Sequence, residues 1–505
     1  MHSAPETIPA ATQPIAPAYS DTGFASRVRS AMVWRWGSQF LAQIVTWTST
    51  LAVVRLLDPA DYGLFAMTQV VLAALNFLNG YSFATSLIQA DTVDERRVSQ
   101  VFGMLILANA VLAAAQFLLA PFAASYYGQP MVKDMLQIQS VIFLATPFIA
   151  LPSALLARRI EFRNQGVVNL ACAFVGAATA LALAWAGYGV WALVFAPIAM
   201  VIARAVGLTI AARLLVIPNF DFRGAGDILS FGGALTLCQL FWIIQSQSDI
   251  FLAGRVFDTH ALGLYSEALF LTLVITGRFL PPINEVAFPA YAELTKAGQP
   301  IAPFFLRTLR TVLLVTAPIY VGLALTAQDA ILTLFGPKWA EMAPIVAGLA
   351  IAMPAMALQI VCSPATNALG KPRIYVFTSA IGAVLFPVLF MTGVAYGPMG
   401  LVHAWWVAAP TLLIVTLHLT LRTVGLTFGK LLSELAPIAL ACAAMAAAVL
   451  LAKEALPDIP PQISLLAIVP LGAMTYTAVL WLFWRGMLLE TWAMLRQRKI
   501  APSPA

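Results

Sequence analysis

Runs of about twenty apolar residues recur along almost the whole chain, separated only by short polar turns. Each run is long enough to cross the hydrocarbon core of a bilayer as a helix, and a helix satisfies its own backbone there. This predicts an all-α, polytopic membrane protein. Composition agrees, since 61% of residues are hydrophobic and only 10% charged, against about a quarter charged in a soluble domain. Fourteen spans are expected, near 32–56, 63–88, 99–121, 133–156, 166–186, 189–215, 229–256, 261–290, 304–327, 342–368, 373–395, 399–421, 431–452 and 464–484. No soluble domain interrupts them. Residues 1–26, rich in Pro, Ala, Ser and Thr, read as a disordered cytoplasmic tail. They lack the layout of a signal peptide: the first positive charges, Arg27 and Arg29, lie against the first span, and no cleavage site follows a short apolar core.

Orientation follows from the positive charges. One set of alternating loops, with both tails, holds 20 of the 28 Lys and Arg residues; the other set holds Arg55, Lys133, Arg255, Lys338 and Lys453. Arg35, Arg204 and Arg278 fall inside spans. The positive-inside rule then puts both termini in the cytoplasm. It also accounts for the net charge of +6 without a nucleic-acid partner.

A short segment occurs twice. Arg55-Leu56-Leu57-Asp58 and Gly63-Leu64-Phe65 return as Arg255-Val256-Phe257-Asp258 and Gly263-Leu264-Tyr265, at a constant offset of 200 residues. Each copy reads as helix, polar turn, helix, and the pair points to a duplicated membrane half. Six spans separate equivalent positions, so both halves face the same way, related by a pseudo-two-fold axis along the membrane normal. The expected units are a six-helix bundle over 27–216, a second over 217–422, helices 13 and 14 over 423–484, and a cytoplasmic interfacial tail over 485–505. The pair Pro281-Pro282 is expected to break the eighth span.

No metalloprotease, nucleophile-elbow, Walker or dinucleotide motif is present, so no catalytic residue, metal or cofactor is expected. The four cysteines sit singly in apolar runs, without metal or redox spacing. The informative residues are polar ones inside spans, because each costs energy unless it meets a cavity or a partner. Arg35, Gln39, Gln43, Thr46 and Thr50 in span 1 fall within roughly 80° of one another on a helix. This stripe reads as a water-facing wall or as a helix–helix hydrogen-bonding face. Asn76, Arg204 and Gln245 extend the polar set, and Arg278 in span 8 suits an anion. Asp249 in span 7, with Glu267 and Glu285 in span 8, are candidates for ion coupling, Asp249 being either paired with an Arg or protonatable. Arg55 and Arg255 at the outer interface read as snorkelling or capping residues. Arg and amide side chains together suit an anionic, polyhydroxylated solute.

The turn Arg55-x-x-Asp58-Pro59-x-Asp61-Tyr62-Gly63-Leu64-Phe65, with its partner of Asp249, Arg255 and Gly263-Leu264-Tyr265, resembles that of the bacterial polysaccharide flippases, the O-antigen and exopolysaccharide branch of the multidrug/oligosaccharidyl-lipid/polysaccharide exporters. The resemblance implies an inner-membrane flippase, not an enzyme. Its substrate would be an undecaprenyl-diphosphate-linked oligosaccharide, moved by alternating access and driven by a proton or sodium gradient, with polysaccharide polymerase machinery as a further partner. A multidrug/cation antiporter of the same superfamily is the main alternative, and would want a more acidic interior. A membrane-embedded polymerase or ligase is the other, and would want a large external loop.

Overall fold

The computed structural model describes residues 21–80, 83, 84, 87, 95–159, 161–214, 216–221, 226–455 and 459–496, without the side chains of 21–36, 162, 226–239 and 491–496. Among these residues there is helix and no strand. The chain runs α1 (Asp21–Leu56), α2 (Pro59–Asn76), α3 (Glu95–Tyr127) and then α4, which has three segments (Pro130–Gln139, Val141–Ala145 and Pro147–Arg158). It continues through α5 (Phe162–Trp185), α6 (Trp191–Ala212), α7 (Gly226–Val256), α8 (Thr259–Lys296) and α9 (Ala302–Leu334). A 3-10 turn leads to α10 (Ala343–Ala368), α11 (Pro372–Gly393), α12 (Gly397–Val424), α13 (Phe428–Ala455) and α14 (Pro461–Arg496). Ten helical stretches among the described residues are long and apolar enough to cross a membrane, one of them the α11–α12 pair. Helices α1, α2 and α7 fall outside that set. All three contribute polar side chains to the interior described below.

The repeated segment has the same local logic in both copies. Asp58 is extended (φ −97°, ψ 153°), Pro59 opens α2, and the Asp58 backbone N–H donates to Asp61 Oδ2 at 3.2 Å. Asp258 is extended too, and its Oδ1 accepts from Ala261 N at 2.7 Å to start α8. In each case a polar side chain satisfies a free N–H at a helix start.

Packing repeats with the sequence. Helix α1 lies on α5, α3 on α4, α4 on α6 and α5 on α6; six helices later α7 lies on α11, α9 on α10, α10 on α12 and α11 on α12. The halves meet where α2 crosses α8 and α7. At the α2–α8 crossing, a Cβ on Gly63 would lie 1.9 Å from Thr259 O, and a Cβ on Gly263 would lie 1.7 Å from Pro59 O. Pro59 and Thr259 are themselves 200 residues apart, so the contact is reciprocal about a pseudo-two-fold axis. Only glycine lets two helix backbones approach this closely. Helices α13 and α14 pack on each other and on α9. Arg310 on α9 bridges Glu434 at 3.4 Å and Glu490; Asp329 on α9 takes Lys453 at 3.0 Å and Ser464 at 3.1 Å.

Two expectations meet a different outcome. The Pro281-Pro282 pair does not break α8, which is helical from Thr259 to Lys296. About 33 Å of helix precede Pro281 at 1.5 Å per residue, roughly the thickness of the hydrocarbon core. The freed carbonyls of Gly277 and Arg278 therefore fall at the interface, where both residues are exposed and water can satisfy them. Second, α1 begins at Asp21, inside the stretch expected to be disordered, and residues 1–20 lie outside the described ones. At the other end α14 bends at Trp484 (φ −141°, ψ 42°), where the fourteenth span was expected to stop, and is helical again to Arg496; residues 497–505 lie outside the described ones.

Candidate functional site

The polar stripe of α1 faces open space rather than another helix. Gln39, Gln43 and Thr46 line a cavity of about 410 Å³ with Asn76 and Asn79 of the α2 end, Thr146 of α4, Asn169 and Cys172 of α5, and Arg204 of α6. A second cavity, of about 500 Å³, lies between the halves and takes Thr46, Ser49 and Thr50 from α1, Tyr62 and Gln69 from α2, Ser246 and Gln247 from α7, and Ser266 and Glu267 from α8. Thr46, Ala173 and Met200 line both, so the two adjoin and form one chamber. Its combined size suits a ligand of a few sugar rings, since pockets for drug-sized ligands span about 300–1,000 Å³.

The two ends of the chamber differ in chemistry. The first cavity described is amide-rich and carries one cation. Asn79 Nδ2 donates to Asn76 Oδ1 at 2.8 Å, which fixes the pair. No carboxylate pairs with Arg204 among the described residues, so its guanidinium is available to an anion, and a guanidinium can hold a phosphate in a fork. The cavity between the halves is mostly apolar, with Glu267 as its carboxylate. No cation is paired with Glu267 among the described residues. A lone carboxylate at this depth calls for a proton or a bound cation.

Asp249 lies elsewhere. It is 1% exposed in the core of the second half. Tyr265 donates its hydroxyl to Asp249 Oδ2 at 2.8 Å, and the Ile250 N–H donates to Oδ1 at 2.8 Å. Trp405 Nε1 in turn donates to the Tyr265 hydroxyl at 3.0 Å, and Phe386 stacks edge-on to Trp405 at 5.1 Å. The Asp is thus held by neutral donors from α7, α8 and α12 and not by an Arg.

The repeat turns close the chamber on their side. Arg55 Nε donates to Leu334 O at 2.9 Å and its Nη2 to Thr333 O, so it caps the C-terminal carbonyls of α9 in the other half. Arg255 answers by lying 5.0 Å above the ring of Tyr126 at the end of α3. Lys338 meets Asp58 at 2.8 Å, and Trp339 Nε1 donates to Val54 O at 3.0 Å. With the Gly63–Gly263 crossing these contacts lock the two halves at one end.

Of the residues singled out from sequence, Gln39, Gln43, Asn76 and Arg204 come together on one wall, and Glu267 faces the same chamber. Gln245 does not join them: it is buried against α11, where a Cβ on Gly382 would meet its Oε1 at 2.2 Å. Arg278 and Glu285 are exposed and line neither cavity. About 28 Å of helix separate Arg278 from Thr259, which puts it at the far interface rather than in mid-bilayer. Arg35 lies on α1, and its side chain is outside the described ones. Sequence reasoning missed Asn79, Asn169, Tyr265 and Trp405. Asn79 was within reach, being one helical turn from Asn76; the others meet the site only through tertiary packing.

A family model described as polysaccharide biosynthesis protein matches residues 52–344, more than half of the chain. The succinoglycan biosynthesis transport protein ExoT of Rhizobium meliloti is 24% identical over 461 residues, which cover 90% of this chain and 92% of that protein. The lipopolysaccharide biosynthesis protein WzxC of Escherichia coli is 21% identical over 304 residues, covering 58% of this chain and 60% of that protein. Among solved structures, the lipid II flippase MurJ in an inward closed conformation superposes with a TM-score of 0.72 at 14% identity, over 90% of this chain and 100% of that one. At that identity the likeness speaks for the fold.

Proposed function

This chain belongs to the polysaccharide biosynthesis protein family, and we propose that it carries an undecaprenyl-diphosphate-linked oligosaccharide across the bacterial cytoplasmic membrane, for exopolysaccharide or lipopolysaccharide synthesis. The observation that carries this reading is the chamber itself. It joins an amide-lined compartment holding one free guanidinium, Arg204, to a carboxylate-bearing compartment between two like-oriented halves. Amides suit sugar hydroxyls, and Arg204 suits the diphosphate. The isoprenoid tail stays in the bilayer.

Alternating access supplies the movement. The halves hold together at the outer turns, and loading occurs from the cytoplasmic side, where the Lys/Arg bias puts both termini. A proton or sodium ion on Glu267 or on Asp249 shifts the balance between the two arrangements, by as much as its affinities for them differ. Arg278 and Glu285 stand at the cytoplasmic mouth, where Arg278 meets the incoming anion. Arg35, one helical turn before Gln39 on α1, is proposed to extend the cationic path. Polymerase machinery would receive the flipped units outside.

A multidrug/cation antiporter is the second reading, favoured by Glu267 in its apolar surroundings; the unpaired Arg204 opposes it, because a cation in the chamber would meet a fixed positive charge. Deleting the gene tests the choice. Lipid-linked repeat units should build up on the inner leaflet and drug tolerance should not change. Units that still reach the outer leaflet, with no second flippase present, would rule the flippase reading out.

A further inference from the structure

One side chain, Tyr62 of α2, stands between the chamber and the closure at the repeat turns. It lines the chamber, and its ring meets Trp339 edge-on, with 5.3 Å between centroids and 80° between planes. Trp339 belongs to the 3-10 turn before α10, is fully buried and does not itself line the chamber. The first half holds this indole through the Nε1 bond to Val54 O and through the Tyr62 ring. Both contacts are given up when the halves part there.

The hydroxyl of Tyr62 is the unusual feature. The residue is 5% exposed, and a buried phenol ordinarily finds a partner for its O–H. No group among the described residues hydrogen-bonds this one, and it is open to the cavity rather than sealed. Packing alone does not call for it. In the repeat register position 62 pairs with Leu262, which is fully buried and carries no hydroxyl. The phenol is therefore particular to the first half, whose share of this wall also brings Thr50 and Gln69 to the cavity.

We propose that Tyr62 senses cargo for the closure: its hydroxyl binds a sugar hydroxyl of the headgroup in the chamber, and its ring releases Trp339 as it does so. The proposal rests on the flippase reading above. A phenol O–H donates, and a sugar hydroxyl accepts while still able to donate elsewhere. The glycan reaches that O–H best when the phenol leans into the chamber, and leaning takes the ring off Trp339. Loading then favours the parted arrangement by as much as the glycan binds it more tightly, whereas an empty chamber leaves the plug seated. Opening at the repeat turns, which the charge bias puts outside, becomes conditional on cargo.

The test uses the full-length protein in intact cells, with Ser246→Cys as its single cysteine and a membrane-impermeant maleimide added from outside. Two strains are compared, one making the lipid-linked glycan and one lacking the transferase that puts the first sugar phosphate on the lipid carrier. Alkylation should be several-fold faster in the strain that makes the glycan. Tyr62→Phe keeps the ring and removes only the hydroxyl; it should leave the rate in the glycan-free strain unchanged, abolish the difference between strains, and lower export at an unchanged membrane level. Trp339→Leu removes the plug and should give fast alkylation in both strains. A Tyr62→Phe protein that still responds to the glycan, or that alkylates faster in both strains, would overturn the proposal, as would a strain-independent rate in the protein with Tyr62 intact. The gene-deletion test reads where the lipid-linked units lie without reference to Tyr62, so a failed sensor leaves the flippase reading standing, and units that still cross without the gene remove that reading whatever Tyr62 does.

Discussion

Replacing Gly63 or Gly263 with alanine should hold the repeat-turn end of the chamber open. In the observed arrangement the new methyl carbon would lie 1.9 Å from Thr259 O or 1.7 Å from Pro59 O, whereas ordinary contact begins near 3.4 Å. The two backbones would have to part by about 1.5–1.7 Å. Overpacking of this kind costs about 1–3 kcal/mol, and only the arrangement with the outer turns joined bears it. The joined population should therefore fall about 5- to 150-fold relative to the open one. Helix propensity acts in the opposite direction, since alanine favours a helix over glycine by about 1 kcal/mol, so a loss of folding is not the expected cause. The assay is alkylation by a membrane-impermeant maleimide, added from outside, of a single cysteine placed at Ser246 in a protein without its natural cysteines. Gly63→Ala and Gly263→Ala should each speed alkylation and cut export, and the double variant should do so most. Gly322→Ala, where a Cβ meets nothing within 4 Å, is the control and should change neither. Alkylation and export unchanged in the double variant would refute the reasoning.

Three further outcomes follow from the site. Arg204→Ala should abolish most glycan export at normal membrane levels while Arg204→Lys keeps part of it, because lysine retains the charge but not the fork; equal loss in both would mean that bidentate contact is required. Glu267→Gln should uncouple uptake into vesicles from an imposed proton or sodium gradient without lowering binding of the lipid-linked substrate, and full gradient response would remove Glu267 from the coupling role. Tyr265→Phe deletes the hydroxyl that satisfies buried Asp249 and should cost about 1–3 kcal/mol, seen as a lowered unfolding temperature in detergent; an unchanged temperature would show that the Asp249–Tyr265 bond contributes little.

Much of this architecture could be read from residues alone, for a local reason. A helix that spans a bilayer announces itself in its own twenty residues, and the repeat announces itself because its turn needs Asp to start a helix and Gly to let two helices cross. The stripe of Gln39, Gln43 and Thr46 was equally legible, since one helix carries it. Depth and partnership were harder to read. Arg278 was expected inside span 8, near 261–290, with a break at the prolines; the helix runs on unbroken to Lys296, and Arg278 is exposed and lines neither cavity. Arg204 gains its value from α1, α2, α4 and α5 closing around it, and of these only α5 is next to α6 in the chain. Asp249 was expected to take an Arg or to be protonatable; no Arg pairs with it among the described residues, and its partner Tyr265 waits across a turn, with Trp405 140 residues beyond Tyr265.

The two halves share a frame but not a chemistry, and the division follows the repeat register. Positions 58 and 258 are both Asp, 63 and 263 both Gly, 55 and 255 both Arg, and these residues build the closure at the repeat turns. Inside the membrane the same register pairs Ser49 with Asp249, Phe65 with Tyr265 and Met67 with Glu267. Every ionisable member of these inner pairs is in the second half. The amides and Arg204 that line the polar compartment belong to the first. A symmetrical closure lets both halves respond to the same rotation, whichever of them is loaded. An ion bound in one half and a sugar in the other then have no need to touch in order to be coupled, because each biases the contact that both halves share.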